Sequence, residues 1–294
     1  MKIIDMRCRP AYLHDFFGKT PGTPDYEVVK WLNRRVGTRG SDEHCARSLT
    51  PEGFLAEVSD AGLHRAVVVG RHTPTQHLPN DTIHQIVATS DLLEGIGSVD
   101  PASLGTRATL AEAERAIKAL GLCGIDIEPG WSDPARHPDA PLFHPLYDLL
   151  QYLGAPVFLM TGPTTPDHRF NDPAPVANVA RLFPRLKIAV YHGYWPRVAE
   201  IVGVAFRHEN VHIIPDMYLF QAGGRGYVEA VNGFLGDQFL FGSSYPFRPI
   251  GQTIEDFQKI GFRDDLLERL FATNAERLLG LAARPARSAI GKLG

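Results

Sequence analysis

The stretch that decides the fold is "TPEGFLAEVSDAGLHRAVVVG", residues 50–70. Its first half predicts a helix, because Thr50 suits the N-cap, Pro51 suits the first helical position and Gly62 suits the position just past the end. Its second half, "HRAVVVG", is a short apolar run rich in β-branched valines, which predicts a buried strand. A helix followed at once by a buried strand is the repeating unit of parallel α/β sheets.

The same unit recurs along almost the whole chain. Strands are predicted at residues 2–8, 64–70, 95–99, 124–128, 156–160, 187–191, 211–216 and 239–243. Amphipathic stretches separate them, and "RDDLLERLFATNAERLLGL" closes the series. Eight such units without a break in composition predict an α/β fold of the (β/α)8 type, a TIM barrel. A doubly wound open sheet is the alternative, but no glycine-rich phosphate-binding fingerprint follows the first strand.

Domain organisation follows from the same pattern. We expect a distorted barrel over residues 1–281 and a disordered tail over residues 282–294. A long loop follows strand 1, residues 10–49, and its "DYEVVKWLNRR" predicts a short helix. Long turns also follow strands 4 and 5, at residues 129–141 and 161–175. In a TIM barrel these loops lie at the carboxyl-terminal mouth, where binding groups gather.

Composition narrows the setting. The chain has 294 residues, a formal net charge of −3 and 44% hydrophobic residues, so neither nucleic acid nor an anionic membrane is expected as a partner. No apolar run approaches the roughly 20 residues that span a bilayer. We expect no secretory signal, because the first residues are predicted to form a strand and lack a charged segment followed by an apolar one. Three widely spaced cysteines, Cys8, Cys45 and Cys123, suggest reduced thiols and hence a cytoplasmic protein.

Polar residues collect where the predicted strands end. Arg7 and Arg9 lie two apart on the first strand, so they share one face, and Cys8 lies on the other. Two guanidiniums inside a barrel require counter-charges. Glu128 and Asp216 are the candidates within the protein, and a carboxylate on a small anionic substrate is the functional alternative.

The order "IIDMRCRP … EPG … MTG … HGYWP … FGSSYPF … NAERLLGL" resembles the amidohydrolase-related branch of the amidohydrolase superfamily. That branch includes decarboxylases and a lactonase. The resemblance covers nearly all of residues 1–281 and is most specific at 192–196, 241–247 and 274–281. It implies a distorted (β/α)8 barrel with one divalent metal, commonly zinc or manganese, at the mouth. It is also compatible with a homodimer, which the sequence itself does not establish.

The resemblance fails at the expected metal ligands. Arg7 and Arg9 stand where the family has a His-x-His or Glu-x-His motif, Met160 stands where it has a histidine, and Ser244 stands where it has an aspartate. Only His192 matches a functional residue of the family. Because arginine offers no lone pair to a metal, we expect no metal cofactor.

A minority hypothesis keeps a metal at this mouth. It places one zinc or manganese ion on Glu128, His192 and Asp216, since imidazole and carboxylate are legitimate ligands.

The sequence therefore predicts a metal-independent hydrolase for a small carboxylated substrate, such as a lactone, a cyclic amide or an ester. Arg7 and Arg9 would replace the metal electrostatically and bind the anion. His192, with Glu128 or Asp216, would move protons. Further substrate-binding candidates are Arg71, Tyr218, Ser244, Trp131 and Trp195.

Each assignment has a plainer alternative. The two arginines could form a structural ion-pair network, Glu128 could be only a counter-ion, and His192 could be a hydrogen-bonded structural residue. The aromatic candidates could be ordinary packing. A non-oxidative decarboxylase using the same pocket, or a non-catalytic relative that binds a small anion, are the alternative functions.

Overall fold

The computed structural model describes residues 1–13, 24–40 and 42–281. The predicted disordered tail, residues 282–294, lies outside this range, and the predicted extent of the domain stays a prediction. The strands are β1 Ile4–Cys8, β2 Arg65–Val69, β3 Arg71–His72, β4 His77–Leu78, β5 Leu93–Ser98, β6 Ile125–Ile127, β7 Val157–Leu159, β8 Ile188–Tyr191 and β9 Val211–Ile214.

Most of the described helices follow the predicted stretches, but those over residues 43–47, 101–104 and 250–259 were not predicted. The described helices are α1 Pro24–Arg35, α2 Glu43–Arg47, α3 Pro51–Asp60, α4 Asn80–Val87, α5 Pro101–Leu104, α6 Thr106–Lys118, α7 His144–Leu153, α8 Ala174–Leu182, α9 Val198–Arg207, α10 Arg225–Ala230, α11 Ile250–Lys259 and α12 Asn274–Leu279. The cap of α3 forms as predicted, because the Thr50 hydroxyl accepts a hydrogen bond from the Gly53 amide at 3.0 Å. The last predicted helical run is divided into a 3-10 turn, a π-helical turn and α12.

Seven parallel strands form one curled sheet in the order β1-β2-β5-β6-β7-β8-β9. The sheet closes through residues 239–245, which join β9 by a bridge at Phe239 and β1 by a bridge at Tyr245. The predicted eighth strand, 239–243, is therefore not a continuous strand. One reason is that the Ser243 amide donates to the side chain of Asp5 instead of a strand carbonyl. The (β/α)8 architecture is confirmed with this irregular closure.

Side chains alternate between the barrel interior and the helix layer. On β8, for example, Ile188 and Val190 belong to the outer core, whereas Ala189 and Tyr191 belong to the inner one. β1 departs from this rule, because its register shifts between Asp5 and Cys8. The prediction that Arg7 and Arg9 share a face is confirmed, because both contact interior groups. Cys8 packs in the outer core, as expected.

The described part of the long loop after β1 packs against residues that follow β9 and the closing segment. Its predicted short helix is α1, which packs Val29 and Leu32 into a small cluster with Met217, Tyr218 and Phe247. None of the described helices is long and apolar enough to cross a membrane. The three cysteines are buried and free of disulfides.

Candidate active site

Arg7 is a buried cation near the end of β1. Its side chain is buried, with 3% exposed, and its guanidinium carbon lies 5.3 Å from the centre of the Tyr191 ring. Its Nη2 lies 3.8 Å from the sulfur of Met160, and its Nε finds no hydrogen-bond partner among the described residues. Burial, with the nearby charge of Arg9 second, lowers the pKa of Arg7 to about 10.

Arg9 forms an ion-pair network with carboxylates on β6 and just past its end. Its Nη2 lies 3.1 Å from Oδ2 of Asp126 and 3.2 Å from Oε1 of Glu128. Its guanidinium also donates to the carbonyls of Val69 and Gly70, at 3.1 and 2.6 Å. The plainer alternative for Arg9, a structural ion-pair network, is therefore what the geometry shows.

Arg71 completes this network at the rim. The short hairpin of β3 and β4 places it there, and its Nη2 lies 2.9 Å from Oε2 of Glu128. Glu128 thus has one carboxylate oxygen beside Arg9 and the other beside Arg71. Both carboxylate oxygens of Glu128 are therefore engaged in ion pairs within the protein. Among the roles left open for Glu128, this arrangement favours the counter-ion.

His192 and Asp216 form a dyad at the ends of β8 and β9. Nδ1 of His192 lies 2.9 Å from Oδ1 of Asp216, and the amide of His192 donates to Oδ2 at 3.2 Å. An ionised carboxylate can only accept, so pairing assigns the ring proton to Nδ1. Nε2 then carries the lone pair and is free to take a proton from a reactant. Both residues are buried, at 6% and 2% exposed.

The backbone at these strand ends is strained. Positive φ values occur at His192 (62°), Asp216 (45°) and Ser244 (60°). Residues other than glycine seldom adopt this backbone region. Gly162 leaves room for the dyad, since a Cβ added there would lie 3.1 Å from Cβ of His192. Such strain concentrates at functional sites.

Aromatic rings wall the dyad. Tyr218 stacks on Trp195 at 5.3 Å with an interplanar angle of 6°, and it meets the His192 ring edge-on at 5.1 Å. The Trp195 indole is fixed by donating to the Ala222 carbonyl at 2.8 Å. Trp131 lies apart from this wall, with the Arg71 guanidinium 5.8 Å from its ring centre.

The buried hydroxyls that have no hydrogen-bond partner within the part of the chain that the structure describes include two of the predicted substrate-binding candidates. They are Oη of Tyr218 and Oγ of Ser244, and both side chains are at most 3% exposed. Buried polar groups are usually satisfied. A bound molecule with polar atoms would supply the missing partners.

The contacts divide most of the predicted residues into two groups. One group is the dyad with its aromatic neighbours, Tyr218 and Trp195. The other is the ion-pair network of Arg9, Arg71 and Glu128. Arg7 experiences the charges of both Asp216 and Asp126.

Two acidic residues that carry contacts here, Asp126 and Asp5, were not among the predicted site residues, whereas Glu128 was. Asp126 and Glu128 are two apart in "GIDIE", so strand alternation could have placed both inside. Asp5, which accepts two amides at the closure of the barrel, gave no comparable signal.

The residues present do not fit a divalent metal. The described ranges contain no group of three or more His, Cys, Asp or Glu side chains arranged to hold one. Glu128 is engaged by Arg9 and Arg71, while His192 and Asp216 are engaged with each other. The three ligands of the minority hypothesis therefore lie in two different sets of contacts.

Comparison with solved structures supports the fold. An uncharacterised TIM-barrel protein from Bordetella bronchiseptica is 31% identical, with a TM-score of 0.86 over 97% of this chain and 100% of that one. A dihydroxybenzoic acid decarboxylase from Polaromonas sp., with bound manganese and an inhibitor, is 16% identical, with a TM-score of 0.67 over 97% and 98% of the two chains. A probable 2-pyrone-4,6-dicarboxylic acid hydrolase from Acinetobacter baumannii, with citric acid bound, is 14% identical, with a TM-score of 0.61 over 95% and 100%.

Sequence comparison settles the family. No curated protein matches the chain. A profile of the family described as amidohydrolase matches residues 11–281, which is most of the sequence. The resemblance found in the sequence motifs is thus confirmed: the chain belongs to the amidohydrolase family.

Proposed function

We propose that this protein is a hydrolase for a small carboxylated substrate, such as a lactone, a cyclic amide or an ester, and that Arg7 binds the substrate carboxylate. The carrying observation is the environment of Arg7. It is buried against Tyr191 and Met160, and no carboxylate of a described residue pairs with it. An unpaired buried cation is costly, and a substrate carboxylate bound bidentately offsets that cost.

The dyad supplies proton transfer. Nε2 of His192 takes a proton from a water molecule, which attacks the carbonyl carbon of the substrate. Asp216 holds the ring through Nδ1 and stabilises the imidazolium that forms. The bond from the carbonyl carbon to the leaving oxygen or nitrogen then breaks, and the imidazolium returns the proton to that leaving group.

The two unpartnered hydroxyls serve the developing negative charge. Tyr218 and Ser244 can each donate one hydrogen bond to the carbonyl oxygen as it becomes an oxyanion. Their burial means that little water competes for these hydrogen bonds.

We further propose that the reaction needs no metal. The positions that hold metal ligands in the resembling family carry Arg7, Arg9, Met160 and Ser244, and guanidiniums cannot ligate a cation. Arg7 supplies positive charge at the mouth, and Arg9, held by Asp126 and Glu128, adds little net charge. The manganese seen in the related decarboxylase structure is a property of that protein.

The Arg7 guanidinium also favours hydrolysis over decarboxylation. A guanidinium that clamps a carboxylate stabilises the ground state of that group, which opposes its departure as neutral carbon dioxide. Binding by Arg7 is useful when the carboxylate only positions the substrate and the reaction occurs elsewhere on the molecule. A decarboxylase would have to orient its scissile carboxylate away from Arg7.

The test is a screen of lactones, cyclic amides and esters that carry a carboxylate, together with aromatic acids. Products are identified by mass spectrometry and carbon dioxide is measured separately. The wild type is compared with His192→Gln and with His168→Gln, a matched change at an exposed histidine. Ring opening or ester cleavage that His192→Gln abolishes and His168→Gln retains supports the proposal. Carbon dioxide release would replace hydrolysis by decarboxylation, and tight binding without turnover would identify a non-catalytic relative.

A further inference from the structure

Arg7 and Arg9 face inward only because the alternation of side chains along β1 is interrupted. Ile4 and Met6 lie in the inner core, as strand alternation requires. Continued alternation would put Cys8 inside and both arginines outside, against the helices. Instead Cys8 packs in the outer core, and the register with β2 shifts between Asp5 and Cys8. This shift is a β-bulge, a device that re-aims side chains and recurs beside active sites.

Asp5 holds the bulge. Its Oδ1 accepts the Arg7 amide at 3.0 Å and the Ser243 amide at 2.9 Å. Other amides of this segment donate to backbone carbonyls of the closing segment. The Met6 amide donates to the Phe241 carbonyl, and the Arg9 amide donates to the Tyr245 carbonyl. The amide freed by the bulge and the one freed by the irregular closure thus share one carboxylate oxygen. Asp5 itself is fully buried.

We propose that Asp5 is a positioning residue, whose carboxylate fixes the β1 bulge to the closing segment and thereby aims Arg7 into the barrel. This inference rests on the proposed role of Arg7 in anion binding. Asp5 touches no substrate and acts only through the backbone of Arg7. Removal of the Asp5 carboxylate should therefore weaken anion binding without altering any residue that lines the site.

The groups around Asp5 allow its protonation to be followed experimentally. Arg7 and Cys8 face it from β1, and Ser243 faces it from the closing segment. The titratable groups whose charges act on Arg7 are Arg9, Asp216, Tyr191 and Asp126. Burial raises the pKa of Asp5 to about 6, and its hydrogen bonds to Ser243 and Arg7 oppose that rise. Protonation of Asp5 is therefore reported by the two amides that it accepts.

The first experiment compares Asp5→Ala, Asp5→Asn and Phe241→Leu. Asparagine keeps the acceptor oxygen, whereas Phe241→Leu weakens the outer core of the closing segment and leaves Asp5 intact. Crystal structures give the distance from Arg7 to the Tyr191 ring, and calorimetry gives the affinity for benzoate. In Asp5→Ala we expect Arg7 to leave the ring and benzoate to bind at least about tenfold more weakly. Asp5→Asn and Phe241→Leu should keep both properties. A folded Asp5→Ala protein with Arg7 still against Tyr191 overturns the proposal.

The second experiment does not depend on Asp5→Ala folding or on any ligand. The backbone amide signals of Arg7 and Ser243 are followed by NMR in the wild type as pH changes. We expect them to shift together in one step near pH 6, and Asp5→Asn to remove that step. Independent shifts, or a step that survives in Asp5→Asn, overturn the proposal. Failure of the wild type to bind benzoate would count only against the anion-binding function of Arg7. The role of Asp5 is tested separately by the NMR and crystallographic results.

Discussion

Nη2 of Arg7 lies 3.8 Å from the sulfur of Met160, so a buried guanidinium here faces a thioether. Arg9, which directly follows the same strand, is instead enclosed by carbonyls and carboxylates. Two arginines that look equivalent in the sequence thus differ in their energetics. Arg9 is balanced by the protein, whereas no carboxylate of a described residue forms an ion pair with Arg7.

This difference predicts that Arg7→Met will stabilise the protein. Replacing a buried, unpaired cation by an apolar side chain of similar length removes its desolvation cost. We expect the free energy of unfolding to rise by roughly 1–3 kcal/mol, measured by chemical denaturation at neutral pH without ligand. A clear loss of stability would show that Arg7 is a structural ion-pair partner after all.

Arg9→Met should have the opposite effect. It would leave Asp126 and Glu128 buried beside each other without the guanidinium that separates them. We expect a loss of about 3–5 kcal/mol, read from the same denaturation curves. Equal effects of Arg7→Met and Arg9→Met would contradict the division of roles between the two arginines.

The dyad predicts a graded loss of turnover once a substrate is found. His192→Gln should lower kcat by about 10² to 10⁴-fold, because it removes the group that moves the proton. Asp216→Asn should lower it less, since the imidazole remains but its orientation and charge are less well supported. Thermal melts of both variants separate this effect from unfolding. Near-normal turnover in His192→Gln would reduce His192 to a structural residue.

The raised pKa of Asp5 predicts a pH dependence of stability. The folded value is about 6 and the ordinary value is 3.8, so between them the native state holds a proton that the unfolded chain releases. Its contribution to the free energy of unfolding is full below about pH 3.8 and is lost as pH rises through about 6, with an amplitude near 3 kcal/mol. Asp5→Asn stays neutral and should escape this loss. A difference between the two proteins that does not change from pH 4 to pH 7 would contradict the assignment.

Much of the fold was predictable because it depends on local patterns. The cap at Thr50, the helix over α1 and the alternation of short apolar runs with amphipathic stretches all appear where the sequence places them. The closure at residues 239–245 was less predictable. Its irregularity depends on a hydrogen bond from Ser243 to Asp5, which lies more than 200 residues away in the chain.

The site was predictable as a set of residues but not as a set of contacts. Strand alternation correctly placed Arg7 and Arg9 on one face, although it could not reveal the bulge that turns that face inward. It also could not show which carboxylate meets which guanidinium, since that depends on the separation of β1 from β6. The pairing of Asp216 with His192, rather than with an arginine, is a three-dimensional fact of this kind. The expected homodimer remains a prediction.

The most direct measurement of the central claim is a calorimetric titration of chelator-treated protein with benzoate, on the wild type and on Arg7→Met. If Arg7 is the cation of this site, the chelated wild type binds benzoate with unchanged affinity and Arg7→Met shows no binding. If chelation abolishes binding in the wild type and zinc or manganese restores it, the account is contradicted. The charge that holds the anion would then belong to a metal ion, with Glu128, His192 and Asp216 as its ligands.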